Sequence, residues 1–202
     1  MDEAIHRASN GRTDDDIAFE DKPGDSKNEL KWKDIVCLSG QLSLKIPEEL
    51  EKPSEKEAAE HFLHGQRPQE IWMDKYGSRI LTFNLLELSL QEKQVSSAVR
   101  EIQKMIGRLY PESIRESAQN LGAGGVTAGW FSFVTGGIRE DQCHIMFVMP
   151  VNERMMFGSY HFPAGQEKEE QHVFGGMLKS VQMRKDTGED ESGCKRQSIW
   201  TD

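Results

Sequence analysis

The chain has 202 residues, of which 29% are charged and 36% apolar, and its formal net charge at pH 7 is −9. This length suits one domain of about 150 residues with additional terminal segments. The excess of acidic over basic residues argues against a nucleic-acid partner, because phosphate binding requires a basic surface. No apolar run approaches the ~18 residues that cross a bilayer, so no membrane partner is expected.

The cysteines and the first residues indicate the compartment. Cys37, Cys143 and Cys194 are odd in number and too far apart for a CxxC unit, which suits a reducing environment where thiols stay free. Residues 1–29 have no apolar core of the kind that a signal peptide requires. We therefore expect a cytoplasmic protein whose cysteines are structural.

Composition divides the chain into three parts. Residues 1–29 are rich in Asp and Glu and nearly free of apolar side chains, so burial cannot offset the entropy of ordering them. Residues 184–202 have the same character apart from Ile199 and Trp200. We expect a disordered acidic N-terminal arm at 1–29, one folded domain at 30–183 and a flexible C-terminal tail at 184–202.

The first elements of the domain are marked by alternation and by capping residues. The sequence LSLKIP at 42–47 alternates apolar and polar residues, which predicts a half-buried strand. Ser54 and Glu57 have the spacing of a capping box, which predicts a short helix through Leu63. Two extended runs, at 71–73 and 80–86, are joined by turn-forming residues and predict a hairpin.

A longer helix is expected next. Ser89 and Glu92 again have capping-box spacing, and apolar residues then recur at steps of four and three, which predicts a helix over 90–109 that ends before Pro111. A strand at 114–118 and a glycine-rich connector at 121–125 are expected to follow.

Three amphipathic runs then predict an antiparallel meander with loops at 136–141 and 151–153. This register aligns Trp130, Phe147 and Phe157 on one face and Phe131, Met146 and Gly158 on the other. Both faces are apolar near the middle, so each must be covered. The helix at 90–109 can cover one face, and a last helix at 167–182 can cover the same face or the opposite one, which gives either three layers or two layers with a covering loop. Gly175 and Gly176 in that last helix indicate close approach to the sheet or a kink.

Signatures of catalysis or cofactor binding are missing from the sequence. The run at 121–125 has Thr127 where a GxGxxG motif needs its third glycine, and it leads into a strand rather than a helix. His61 and His64 could share a helix face, and the expected register places Cys143 opposite His161. Two ligands are too few for a metal site, so we expect neither a metal nor a cofactor.

Two aromatic residues at the first hairpin are candidate protein contacts. Tyr76 lies in the predicted turn, which should be at the surface, and Trp72 lies in the strand before it. For Trp72 the simpler alternative, a position in the core, is favoured over a surface contact.

The order of elements resembles the PsbP-like fold family, which includes DcrB-like bacterial proteins, a Ran-binding import factor and the PsbP subunit of photosystem II. The resemblance is carried by residues 42–49, by GWFSF at 129–133, IMFVMP at 145–150 and MMFGSYHFP at 155–163, and by the apolar stripe at 174–181. It implies an α+β domain in which an antiparallel sheet is flanked by helices as an αβα sandwich. The family has no invariant catalytic residues to carry over.

The resemblance implies a non-enzymatic protein-binding module, of the bacterial adaptor or chaperone type, with a protein partner. An alternative is a small-molecule-binding or enzymatic domain with a pocket near His144, Tyr160 and His161. A structural subunit of a larger assembly is a third hypothesis, and the oligomeric state is left open.

Overall fold

The computed structural model describes residues 30–62, 67–137 and 140–184. The predicted acidic arm at 1–29 and most of the predicted tail, with Cys194 and Trp200, lie outside the described residues. The same holds for Leu63, the predicted end of the first helix, and for His64.

The described residues form nine strands and three α-helices. The strands are β1 (Trp32–Cys37), β2 (Leu42–Pro47), β3 (Glu70–Met73), β4 (Ile80–Ser89), β5 (Ile114–Ala123), β6 (Val126–Thr135), β7 (Gln142–Val151), β8 (Arg154–Pro163) and β9 (Gln182–Met183). The helices are α1 (Glu55–His61), α2 (Val95–Leu109) and α3 (Glu167–Lys179). No described helix has the length and apolar character that a membrane span requires.

Two antiparallel sheets are present in the described part of the chain. The larger has the strand order β3-β4-β8-β7-β6-β5, and the smaller has the order β1-β2-β9. The predicted strand at 42–47, the hairpin of β3 and β4, and the meander of β6, β7 and β8 are confirmed. The α+β class is confirmed as well.

The two faces of the large sheet are covered by different helices. On one face, which we call the α2 face, α2 packs on Phe131, Phe133 and Val148, and α1 packs on β3 and β4 through Ala58. On the other, the α3 face, α3 and the small sheet enclose the larger core, which includes Trp130. Cross-strand partners point to the same side of a sheet, so the register fixes these assignments.

The meander register differs from the predicted one by a single residue between β7 and β8. Phe147 pairs with Gly158, and Phe157 pairs with Val148 on the α2 face, so the expected alignment of Phe147 with Phe157 was wrong. The turn between the strands has two residues rather than three. Asn152 and Glu153 both have positive φ, at 48° and 63°, as the tightest hairpin turns require.

Two other boundaries also differ from prediction. Ser89 ends β4 instead of capping a helix, and a 3-10 turn at Glu92–Gln94 precedes α2. The cap interaction comes from Gln94, whose side-chain oxygen accepts the Gln91 N–H at 2.9 Å. The expected glycine-rich connector is mostly strand, because β5 continues to Ala123.

The glycines of α3 do permit a close approach, but to another part of the fold. A Cβ atom on Gly176 would lie 3.0 Å from the indole of Trp32 in β1. The residue approached therefore belongs to the small sheet, and β1 itself was missed by the sequence-based prediction.

Candidate functional site

Tyr76 projects from the turn between β3 and β4 and is 76% exposed. The ammonium of Lys75 lies 4.6 Å from the centre of its ring. The surface position agrees with the prediction from turn chemistry. A contact with a partner through this residue stays a prediction.

Trp72 has a different environment. It is half-buried in β3 and packs against the core on the α3 face. Lys33 and Lys52 lie 5.8 and 5.2 Å from its ring centre, and its buried indole N–H has no acceptor among the described residues. Its packing supports the core alternative, so of the two candidates Tyr76 is the one that offers an open aromatic surface.

The turn that carries Tyr76 is held by Asp74. The carboxylate of this buried residue accepts the Ser78 N–H at 2.7 Å, the Ser78 hydroxyl at 2.6 Å and the Arg79 N–H at 3.1 Å. Gly77 has a φ of +66°, and the ring of His61 occupies the space that a side chain at this position would need. Tyr76 is thus presented on a rigid turn that is fastened to the end of α1.

A cleft of about 1000 Å³ lies beside this turn, between α1 and the residues that join β8 to α3. Its walls carry more acidic than basic groups, which is consistent with the charge of the whole chain. The acidic side chains are those of Glu49, Glu51, Glu57, Glu60 and Asp74, and the basic ones are those of Lys52, Lys75 and Arg79.

One side of the cleft is supported by a partly buried network of ion pairs and hydrogen bonds. Glu170 of α3 accepts the Arg79 Nε–H at 2.7 Å and the Tyr160 hydroxyl at 2.6 Å. Arg79 also reaches Glu49 at 3.3 Å. Burial, and then the Glu170 carboxylate, raise the pKa of Tyr160. This network joins β8, α3 and the cleft wall.

The predicted grouping of His144, Tyr160 and His161 around one pocket is wrong. Tyr160 points to the α3 face and bonds Glu170, whereas the two histidines lie on the α2 face. The cleft beside Tyr76 and a smaller cavity beside Gln41 and Glu70 are lined by none of the three. His161 pairs with His144, and Cys143 pairs with Phe162, so the expected Cys143–His161 contact is also wrong.

On the α2 face the histidines belong to a continuous line of polar side chains, which we call the histidine chain. Thr135 Oγ1 lies 2.7 Å from His144 Nε2, and the Nδ1 atoms of His144 and His161 are 2.8 Å apart. His161 Nε2 is 2.7 Å from Ser159 Oγ, which is 2.7 Å from Thr82 Oγ1. The line crosses β6, β7, β8 and β4.

Burial lowers the pKa of His144 from 6.5 to about 4. Burial, and then the neighbouring His144, lower the pKa of His161 to about 3. Both imidazoles are therefore neutral at pH 7.

Ser159, His161 and His144 are connected as a nucleophile, a base and an orienting group would be. Ser159 is only 7% exposed, however, and it lies in β8 between β4 and β7. Its neighbouring backbone N–H groups are used in the sheet, while acyl transfer needs such donors free to stabilise an oxyanion. The geometry favours a role in which Ser159, His161 and His144 share protons and hydrogen-bond neighbouring strands to each other, rather than one in which Ser159 attacks a substrate.

The remaining candidate metal ligands do not assemble. No group of three or more His, Cys, Asp or Glu side chains with metal-binding geometry occurs in residues 30–62, 67–137 and 140–184. His61 packs on Gly77, and its predicted partner His64 is outside these ranges.

The sequence could have suggested the histidine chain through one signal. Thr82 follows Ile80 and Leu81 directly, and Ser159 lies in the run MMFGSY, so each hydroxyl stands in a largely apolar stretch; buried hydroxyl groups need hydrogen-bond partners. Finding the partners required the register between β7 and β8, which the predicted loop length displaced by one residue.

Comparison with known proteins places the fold. No family model and no curated protein matches the sequence. The cyanobacterial PsbP protein of Synechocystis superposes with a TM-score of 0.52 at 7% identity, over 81% of this chain and 98% of that one. The chain has a PsbP-like fold.

Other solved structures are similar to this PsbP-like chain. A Bacteroides thetaiotaomicron structure has a TM-score of 0.50 at 10% identity over 78% of this chain, which spans about half (50%) of that protein. The Saccharomyces cerevisiae Ran-binding protein Mog1p has a TM-score of 0.44 at 10% identity, covering 77% of this chain and 96% of Mog1p. At identities of 7% and 10%, the likeness to the Synechocystis and Bacteroides structures shows the fold alone.

Proposed function

We propose that this chain is a non-enzymatic protein-binding module, of the adaptor or chaperone type, which meets its partner at the cleft beside Tyr76. The observation that carries the proposal is the placement of Tyr76, a largely exposed aromatic ring on a rigid turn at the rim of a cleft of about 1000 Å³. Aromatic side chains are enriched among the residues that dominate protein interfaces, and a preorganised turn lowers the entropy cost of binding.

The charges of the cleft define the partner surface that fits it. Glu51 and Glu60 line the cleft without an ion pair to another described residue, whereas Glu49 is paired with Arg79. A partner with basic or hydrogen-bond-donating groups would complement these carboxylates and would be steered toward them. The same acidic surface disfavours nucleic acid.

A cytoplasmic location forms part of the proposal. Cys37 and Cys143 are buried free thiols in the described part of the chain. Unpaired cysteines are usual in reducing compartments.

The Ran-binding role named for Mog1p is consistent with a protein partner but identifies none here.

A second candidate function is the binding of a small molecule in the same cleft. The cleft, with a volume of about 1000 Å³, is large enough for a ligand. Ligand pockets are mostly apolar, however, and this cleft is lined mainly by charged and polar side chains, which favours a protein surface.

The test is affinity capture with the full chain from its native source, followed by mass spectrometry. The wild type is compared with Tyr76→Ala, with Glu60→Lys and with the control Leu88→Ala, which removes an exposed apolar side chain at the opposite end of β4. We expect a stoichiometric partner that Tyr76→Ala and Glu60→Lys both weaken and that Leu88→Ala retains. Native mass spectrometry of the purified chain checks for a bound metabolite.

Each outcome is decisive. Equal recovery of the partner by Tyr76→Ala and by the wild type would remove the cleft from the proposal. A partner that Leu88→Ala also loses would place the interface elsewhere. A stoichiometric metabolite with no associated protein would replace the proposal with the small-molecule function.

A further inference from the structure

The histidine chain has only two ways of directing its hydrogen bonds when both imidazoles are neutral. A neutral imidazole has one N–H donor and one bare nitrogen acceptor. If His144 donates from Nδ1, its Nε2 must accept from Thr135, and His161 must donate from Nε2 to Ser159. If His161 donates from Nδ1, every bond reverses. The short Nδ1 to Nδ1 distance therefore forces the two rings into opposite tautomers.

One added proton preserves all four bonds. A cationic His144 donates from both nitrogens, to Thr135 and to the bare Nδ1 of His161, and the Thr135 hydroxyl rotates to accept. A cationic His161 is accommodated in the same way toward Ser159. A second proton puts N–H groups on both Nδ1 atoms, which are 2.8 Å apart, so this bond must break.

Neither imidazole is bonded to a carboxylate of the described residues, which would offset a second proton. Burial and the other imidazole are the only causes that lower the two pKa values. One carboxylate lies near the Thr135 end of the histidine chain: that of Asp141, in the loop after β6, approaches Gly136, the residue after Thr135. Ile80 and Thr82 face the two rings from β4, and Phe133 and Thr135 face them from β6. Tyr110 lies behind Phe133, and α1 packs on Ile80 through Ala58.

The histidine chain is connected by ring stacking to an exposed part of the molecule. His144 stacks on Phe133 at 4.7 Å and 18°, and Phe133 stacks on Tyr110 at 5.9 Å and 25°. Tyr110 follows the last residue of α2 and is exposed, as are Met105 and Leu109 on that helix. A displacement of His144 would therefore remove support from the apolar end of α2.

We propose that the histidine chain is a proton-operated latch, which holds one proton without change and on a second proton separates His144 from His161 and loosens the end of α2. The device goes beyond the proposed binding function and does not depend on it. It makes the apolar surface around Tyr110 respond to acid, while the cleft beside Tyr76 lies on a different part of the fold.

The tautomers are tested first, by nitrogen-15 NMR of the imidazoles in the full wild-type chain at pH 7. The geometry requires one of His144 and His161 as the Nδ1–H tautomer and the other as the Nε2–H tautomer. Two Nε2–H tautomers would overturn the proposal. This measurement needs no variant, so it does not depend on whether a substitution folds.

The latch itself is tested by amide hydrogen exchange between pH 7 and pH 3, corrected for the intrinsic exchange rate. If release needs one further proton, the open population of residues 105–114 rises about tenfold for each unit of pH below the first protonation. Amides of α3 should not follow this dependence, and His172→Asn, at an exposed position, should behave as the wild type. A pH-independent opening of residues 105–114, or the same dependence in α3, would contradict the latch.

A variant extends the test. In His161→Gln only one imidazole remains, so protection of residues 105–114 should lose its step with pH. The same pH step in this variant as in the wild type would show that the histidine pair does not control the end of α2.

Discussion

The hydroxyl of Tyr160 donates a 2.6 Å hydrogen bond to the carboxylate of Glu170, a residue that is only 2% exposed. The same carboxylate accepts the Arg79 Nε–H, so one buried acid on α3 links the central strand β8 to the residue that precedes β4. A buried carboxylate is tolerated only when its oxygens are fully bonded. This relationship explains why an acidic first turn of α3 includes one buried member.

Glu170→Gln should lower the free energy of unfolding by about 2 kcal/mol, because it leaves Arg79 without its buried counter-charge. The guanidinium is one-third exposed and retains Glu49, so the loss should be smaller than the roughly 3–5 kcal/mol typical of a broken buried pair. Urea denaturation at pH 7 measures the change. Glu169→Gln, one position earlier and exposed, is the control and should differ from the wild type by less than about 0.5 kcal/mol.

Gly158→Ala should destabilise the protein by about 3 kcal/mol, because a Cβ atom would overlap the Phe147 ring that lies over this glycine. Gly122→Ala is the matched control, since a Cβ at this position in β5 meets no atom within 4 Å. Thermal unfolding of both variants measures the difference. Equal melting temperatures would show that Phe147 can leave its position without cost.

Several elements could be predicted because their determinants are local. The capping box of α1 forms as expected, with Ser54 Oγ accepting the Glu57 N–H and Glu57 accepting the Ser54 N–H at 2.8 Å. The alternation at 42–47 gives β2, whose Leu42, Leu44 and Ile46 are all buried. Periodicity and capping are properties of neighbouring residues, so one sequence is enough to reveal them.

The remaining features depend on contacts between distant residues. Asn152 and Glu153 form a tight turn without the glycine that normally marks one, so the loop was expected to have three residues and every partner of β8 moved by one. Because of this single error in the register, the histidine chain was not predicted from the sequence. The strand β1 was missed because its sequence, WKDIVC, reveals its inner face only when paired with β2.

Stability should fall as the pH drops from about 6.5 toward 3, because burial lowers the pKa of His144 to about 4 and that of His161 further. The unfolded chain binds protons in this window before the folded chain does, so the contribution of the neutral pair is complete above pH 6.5 and is lost below it. Urea midpoints at intervals from pH 7 to pH 3 measure the loss. Carboxylates also change the stability in the more acidic half of this pH range. The wild type is therefore compared with His161→Gln, whose stability should depend less on pH between pH 6.5 and 4.5.

The thiols of Cys37 and Cys143 should resist alkylation in the folded protein. Burial, and then the nearby carboxylates of Glu70 and Glu167 respectively, raise the pKa of each thiol to about 12, and only the thiolate reacts. Iodoacetamide at pH 8, followed by peptide mapping, should leave both residues unmodified in the native state and label both in 6 M guanidinium chloride, about the concentration that unfolds most domains. Native labelling of Cys143 at the rate seen in denaturant would show that the α3 face opens freely, which is incompatible with its packing under α3.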